Sequence, residues 1–476
     1  MSKNANHRRA SFGDYLAYGI YRVFESFLRL LPMEIVCLIG SAMGQITYFL
    51  MSDRRQVAIR NLRIVYGHSR SPQEIRALAR KTFRLSGLNL ISSISASTLS
   101  TEELLDRVEV EGRDHLINAK AQGNGCILLL AHMGNWELLT QLHILVPEIE
   151  ALASLYRPLN NPLLDRLIKR RRQRSGTQLF SKRDGFAKPI SHLKMKGTLG
   201  VIADQNAGKQ GVLVPLFGKL SSMTYLPALL CRKTNAPIIP VSMCTLSPGK
   251  WRVIIHPAIP ISNEEKKHTA HITTLCASAY ETLISESPAD VLWMHQYWRV
   301  GKKSPLKIHG LLKKKLSTKP DSPAHQSSPD NLVTKPFRLL LFTGDTPATD
   351  LEILAQIERL RGYRTDLQLT TMGVHPFSQD FTTYIPLITS EPPHIAANNL
   401  RNHELNADEP FDCALDFTTD SRDSTILNMA GISLILSLHG KHRTSKTQQL
   451  IKERGRAGLQ ELLEGLGLPP NTPTSN

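Results

Sequence analysis

The stretch GCILLLAHMGNWELL, Gly125 to Leu139, decides how this chain is read. An apolar run stops at a histidine, a Gly-Asn pair follows at once, and a glutamate stands five residues after the histidine. Either His132 is a base with Glu137 behind it, or this is an ordinary corner where a buried strand meets a helix. Spacing does not choose between them. Five of the seventeen histidines (His132, His143, His325, His375 and His403) have Asp or Glu five positions later. Only at His132 does a strand-like run, Cys126 to Ala131, end at the histidine with a turn signal directly after it.

Helix geometry narrows the first option. Five residues along one helix turn the side chain about 140° past a full turn, so the pair shares no face. The two meet only if His132 sits on the loop before a helix and Glu137 lies in its first turn, with Asn135 as the N-cap candidate. There the histidine stands near unsatisfied backbone N–H groups. A carboxylate accepting one ring N–H would leave the other nitrogen as a base.

At 476 residues the chain can hold two or three domains. Its formal charge of +17 is uneven: residues 337–476 carry 12 Lys/Arg against 17 Asp/Glu, whereas residues 1–336 carry 46 against 24. The first two-thirds therefore calls for an anionic partner or surface. Six scattered cysteines without a CxxC pair indicate a reduced compartment, with no disulfide framework and no metal site. HExxH, Walker A and GxGxxG patterns are absent.

Ile35 to Met51 is uncharged for seventeen positions, at the short edge for a bilayer span. An amphipathic stretch with Arg22 and Arg29 precedes it and the basic SDRRQVAIRNLR follows. A buried helix pair is one reading. A membrane-associating segment over residues 1–60, its basic flank on cytoplasmic headgroups, fits the charge better. Helical patterns run over residues 14–118. Strand-like runs then appear at Cys126–Ala131, Ala151–Tyr156, Thr198–Ala203, Pro237–Cys244 and Trp251–His256, with helices between most of them. The fold class expected is α/β with a largely parallel sheet. His132, Arg157 and Asp204 each follow a strand, which is a stronger signal than any one of them. A Lys/Ser/Pro-rich linker is expected over 310–336, between a catalytic domain at 61–309 and a smaller Rossmann-like domain at 337–476.

Other clusters are ambiguous alone. Six basic residues fall within Arg166–Arg174, which is a solvated helix face, a phosphate site or a docking surface. Interleaved aromatics and a recognisable reading module are missing, which argues against nucleic acid. In VPLFGK, backbone N–H groups and Lys219 are positioned to meet an anionic carrier, or Lys219 is simply solvated. His295, in LWMHQYWR, is left outside the expected site as a packed or surface residue.

Taken in order, AHMGNWE, YRPLNNPLLD, DQNAG, GVLVPLFGK and WMHQYWR, behind a hydrophobic segment ending in RNLRIVYG, resemble the lipid A biosynthesis lauroyl/myristoyl acyltransferase family of the glycerolipid acyltransferase superfamily. The resemblance covers about residues 12–305. It implies an enzyme at the cytoplasmic face of a bacterial inner membrane. The reaction it implies moves an acyl chain from an acyl carrier protein thioester to a hydroxyl of a phosphorylated glycolipid, without metal or other cofactor. It implies His132 as general base with Glu137 orienting it, and substrate-binding roles for Arg157, Asp204 and Lys219. Residues 337–476 lie outside it and faintly resemble one half of a heptosyltransferase-type glycosyltransferase. Acylation of another glycolipid or a lysophospholipid, a non-catalytic membrane scaffold, and a basic nucleic-acid binder are the alternatives.

Overall fold

The computed structural model describes residues 9–298, 335–344, 367–374, 383–387, 391–406 and 410–416, with isolated residues between 426 and 437. Most of the expected linker, through residue 334, lies outside the described residues.

Four helices open the chain: α1 (Phe12–Arg29), α2 (Met33–Leu50), α3 (Ser52–Tyr66) and α4 (Pro72–Ala96). A capping box starts α1, with Ser11 Oγ accepting from Asp14 N and the Asp14 carboxylate accepting from Ser11 N. Pro32 then separates α1 from α2. By length and composition α2 is apolar enough to cross a membrane. Its Gly40 and Gly44 face Gly87 and Phe83 of α4 so closely that a Cβ on Gly44 would stand 2.1 Å from the Phe83 carbonyl oxygen. The small face of α2 is therefore used within the chain. Its Leu38, Ile46, Phe49 and Leu50 are exposed, as are Phe12, Leu16, Ile20, Val23 and Phe27 of α1.

The strands are β1 (Val108–Glu111), β2 (Cys126–Leu130), β3 (Leu152–Tyr156), β4 (Gln178–Ser181), β5 (Thr198–Ile202), β6 (Val212–Leu216), β7 (Lys219–Met223), β8 (Ile238–Ser247), β9 (Lys250–Ile255), β10 (Phe337–Gly344), β11 (Leu367–Gly373), β12 (Thr383–Pro386), β13 (Cys413–Asp416) and β14 (Ile435–Ser437). A seven-stranded sheet has the order β1-β9-β8-β2-β5-β3-β4. Its neighbouring strands are parallel except β8 with β9. All five residues of β2 are buried, as a central strand covered on both faces requires. The five strand-like runs of the sequence are all strands. The short β1 and β4 were not expected from the apolar pattern.

The chain divides into two compact units. The first holds residues up to Arg55, Arg76–Ala207 and Met223–His295, and the second holds Gln56–Ile75, Gly208–Ser222 and the residues from Gln296 onward. The second unit contains five parallel strands in the order β12-β11-β10-β13-β14, which reverses at β10 as in a doubly wound sheet. It also contains the hairpin of β6 and β7, turned by Phe217 and Gly218, both at positive φ as a two-residue primed turn demands. Beside its apolar core, which includes Leu340, Phe342, Met372 and Leu400, lies a buried ionic cluster. Buried Asp412 accepts from Arg338 N at 3.0 Å, pairs with Lys219 Nζ at 2.7 Å and also pairs with Arg60. Burial disfavours the Asp412 carboxylate, but Lys219 and Arg60 hold its pKa below the ordinary value. Lys219 also donates to the Pro336 carbonyl at 2.8 Å. The expectation of an anion-meeting Lys219 is corrected here: the side chain is buried and spent within its own unit.

Candidate active site

Parallel pairing builds the site. In the register of β2 against β5, Leu130 stands opposite Ile202. Two residues on, His132 and Asp204 leave the same sheet edge side by side. Beneath them the Tyr280 hydroxyl donates to Leu130 O at 3.0 Å and accepts from Ala203 N at 3.1 Å, which closes the backbone where the two strands part.

Asp204 grips His132 twice. Oδ2 accepts from the His132 backbone N–H at 2.9 Å, and Oδ1 lies 2.7 Å from ring Nδ1. Burial opposes charge on both groups. Their mutual attraction and hydrogen bonding outweigh it, lowering the pKa of Asp204 and raising that of His132. An ionised carboxylate can only accept, so Nδ1 carries the proton and Nε2 is the basic nitrogen. About a fifth of the His132 side chain stays exposed, against 2% for Asp204.

The histidine loop is fixed from the other side as well. Leu292 N donates to His132 O at 2.9 Å, Met133 bridges Val291, and Gly134 N donates to Asp290 O at 3.1 Å. Gly134 has φ +55°, and a Cβ there would stand 2.2 Å from Met243 O, so the position needs glycine. Behind it the buried Asp290 carboxylate accepts from Thr245 N at 2.8 Å, Thr245 Oγ1 at 2.6 Å and Ser287 Oγ at 2.7 Å. This anchorage brings His295 to the site. Its ring centroid is 5.1 Å from that of His132, and the Gln205 side-chain amide donates to His295 Nε2 at 2.8 Å while lying 3.4 Å from His132 Nε2. Burial and the neighbouring His132 charge lower the pKa of His295, which favours a neutral ring. Sequence reasoning left His295 and Gln205 out. The backbone contacts of residues 132–134 with residues 290–292 reveal the histidine.

Glu137 is not the partner of His132, which corrects the expectation for this residue. It lies in a 3-10 helix, Trp136–Gln141, that has no side-chain N-cap bond. Asn135 is buried, with Nδ2 3.4 Å from Ser92 Oγ. The Glu137 carboxylate instead makes a two-pronged pair with Arg172, at 2.8 Å to Nε and 2.6 Å to Nη2. Its charge still reaches His132 as a lesser stabiliser of the protonated ring. Arg172 belongs to the basic helix Pro162–Gln173, capped by Asn161. Arg157 follows β3 and is exposed, and its charge helps burial lower the pKa of Lys182.

Beside the Glu137–Arg172 pair lies a groove of about 460 Å³. Tyr21 and Phe24 of α1 form one wall, Leu90, Ile91 and Ile94 of α4 another, and Ile168 of the basic helix closes it.

The bacterial lipid A biosynthesis acyltransferase family model matches residues 7–300. The chain belongs to that family. Among its relatives, a lipid A biosynthesis acyltransferase of Haemophilus influenzae is 29% identical over 43% of this chain and 63% of its own length. The lipid A biosynthesis lauroyltransferase of Escherichia coli K12 is 26% identical over 56% of this chain and 87% of its own. A phosphatidylinositol mannoside acyltransferase of Mycobacterium tuberculosis is 28% identical over 41% and 60%. The chain thus spans under two-thirds of the Haemophilus and mycobacterial relatives. A solved glycosyl transferase family 9 chain from Veillonella parvula shares 15% identity over 29% of this chain and 43% of its own, with a TM-score of 0.21.

Proposed function

We propose that this family member transfers a fatty acyl chain from an acyl carrier protein thioester to a hydroxyl of a phosphorylated glycolipid, with His132 as general base and Asp204 as its partner. The observation that carries the reading is the double grip of Asp204 on His132, which leaves Nε2 as the base at the edge of the sheet. The acceptor hydroxyl gives its proton to Nε2 while its oxygen attacks the thioester carbonyl. Collapse of the tetrahedral adduct breaks the carbon–sulfur bond, and the imidazolium returns the proton to the leaving thiolate. The products are an ester and a free carrier thiol. Asp204 fixes the tautomer and stabilises the imidazolium.

The cysteines offer no rival nucleophile. Burial pushes the Cys126 thiol up to about 11, and Cys126 is fully enclosed in β2. The groove takes the acyl chain, in keeping with its apolar walls. Exposed Arg157 and the exposed side of the basic helix, Arg166 and Arg170, take phosphate or the acidic carrier. The relatives named for lipid A and for phosphatidylinositol mannoside both support a phosphorylated glycolipid acceptor. The exposed apolar faces of α1 and α2 support association with a membrane, which in this reading is the cytoplasmic face of the inner membrane.

The test is mass spectrometry of products formed by purified protein from acyl carrier thioesters and a panel of acceptors. An acylated phosphoglycolipid that disappears with His132→Ala is expected. Acylation that persists undiminished in that variant, or that occurs only on non-glycolipid acceptors, contradicts the proposal.

A further inference from the structure

Two residues of α1 are buried, Leu28 and Glu25, and the second is a carboxylate with 1% of its surface exposed. Three arginines surround it: Arg22, with Nε at 3.4 Å, Arg29, and Arg171 from the basic helix. Arg171 is itself only 10% exposed. It donates from Nη1 to the Tyr21 hydroxyl at 2.5 Å, and its guanidinium sits 5.3 Å from the Tyr21 ring centroid. About three turns earlier on both helices, Asn161 Nδ2 donates to the Asp14 carbonyl at 3.0 Å. The helix α1 is therefore pinned to the basic helix near both ends.

A buried ion cluster is an expensive way to hold two helices together, since well-packed apolar residues of similar volume are often neutral or stabilising in its place. The Glu25 oxygens accept no hydrogen bond, so what the cluster adds is position: three guanidinium charges converge on one carboxylate, and only one register and rotation of α1 brings it among them. Tyr21 and Phe24, one turn or less from Glu25, are the α1 wall of the groove, and Arg171 and Arg172 are part of its basic-helix side. Fixing α1 fixes the width of the groove.

We propose that Glu25, through Arg171, is a specificity-determining residue: it locks α1 at the register that shapes the groove for one class of acyl chain. The inference rests on the reading of the groove as the acyl site. Glu25 touches no reacting atom and acts only through the position of Tyr21 and Phe24. A groove wall free to shift accepts chains of several lengths, whereas a fixed wall rejects the wrong methylene count by about tenfold or more.

The experiment measures kcat/KM over a homologous series of saturated acyl carrier thioesters for three full-length proteins. The double variant Glu25→Leu/Arg171→Leu removes the ionic lock without leaving a buried charge alone, and Glu25→Gln removes only the charge. The expected result is that the double variant melts at or above the wild-type temperature while its chain-length profile flattens. The ratio between the best chain and the next homologue should fall by about tenfold toward unity. Glu25→Gln should flatten the profile as well, with a lower melting temperature. A double variant that keeps the wild-type profile, or a wild-type profile that is already flat, overturns the proposal. Ile94→Trp, which fills the groove, separates the two ideas. If it moves the optimum to shorter chains while the double variant changes nothing, the lock fails and the groove stands. If neither variant alters the profile, the groove reading fails with it.

Discussion

Asp204 and Asp412 are equally withdrawn from water, 3% and 1% exposed, and both are held ionised by neighbours that outweigh burial. Their partners differ in kind. Asp412 faces Lys219, Arg60 and a backbone N–H, two permanent cations and a fixed dipole with no free valence. Both oxygens of Asp204 bond to one residue, His132, whose ring can gain and lose a proton and still shows a basic nitrogen at the sheet edge. A buried carboxylate among permanent cations fixes a fold. One behind an imidazole sets a protonation state. Burial and depressed pKa are common to both, so neither property alone marks a catalytic group.

The largest effect expected from this contrast falls on the base. His132→Ala should reduce acyl transfer on the order of a hundredfold to ten-thousandfold while the protein remains folded. Steady-state rates together with a circular dichroism melt check this. An active, normally folded His132→Ala protein would leave Asp204 no more functional than Asp412.

Asp412→Asn should act on stability. Breaking a buried pair on one side leaves Lys219 and Arg60 uncompensated, a loss of about 3–5 kcal/mol. Denaturant titration of the full-length protein measures it. The pH dependence has a definite sign: the folded pKa of Asp412 lies below its ordinary value, so its contribution is present above about 3.8 and disappears as pH falls through the folded value. A loss of stability on raising the pH from neutral, traceable to this residue, would contradict the assignment.

The smallest effect is expected at the decoy. His143 has the same spacing to Glu148 as His132 has to Glu137, yet its Nε2 donates to the Ser175 carbonyl in a purely structural contact. His143→Ala should keep activity within about twofold, apart from a modest stability loss of about 1 kcal/mol from the lost hydrogen bond. Loss of catalysis as deep as in His132→Ala would reverse the distinction between the two histidines.

Much of the sheet was readable because its strands are continuous apolar runs with polar residues just past their ends. That pattern brought forward His132, Arg157 and Asp204 together. It could not give strand order: β2 pairs with β5, 72 residues away, and this adjacency alone makes Asp204 the partner. Glu137 misled for the opposite reason. Nearness in sequence made it the natural partner, but Arg172, 35 residues on, holds its carboxylate through two directed bonds. Lys219 read as a cation open to an anionic substrate because its partner, Asp412, lies almost two hundred residues later. His295 sits in the WMHQYWR motif, but its place beside His132 had no local signal, since residues 290–292 deliver it by backbone contacts to residues 132–134.

The central claim is that Asp204, and not Glu137, sets the protonation of the base. The direct test is the pH dependence of kcat/KM for wild type, Asp204→Asn and Glu137→Gln. Neutral His132 is the active form, so activity rises as pH passes its folded pKa, which lies above the ordinary 6.5. Asp204→Asn should move that limb to lower pH and lower the plateau on the order of a hundredfold or more. Glu137→Gln should leave the limb close to wild type with a smaller loss. A limb displaced by Glu137→Gln and unmoved by Asp204→Asn would contradict the account.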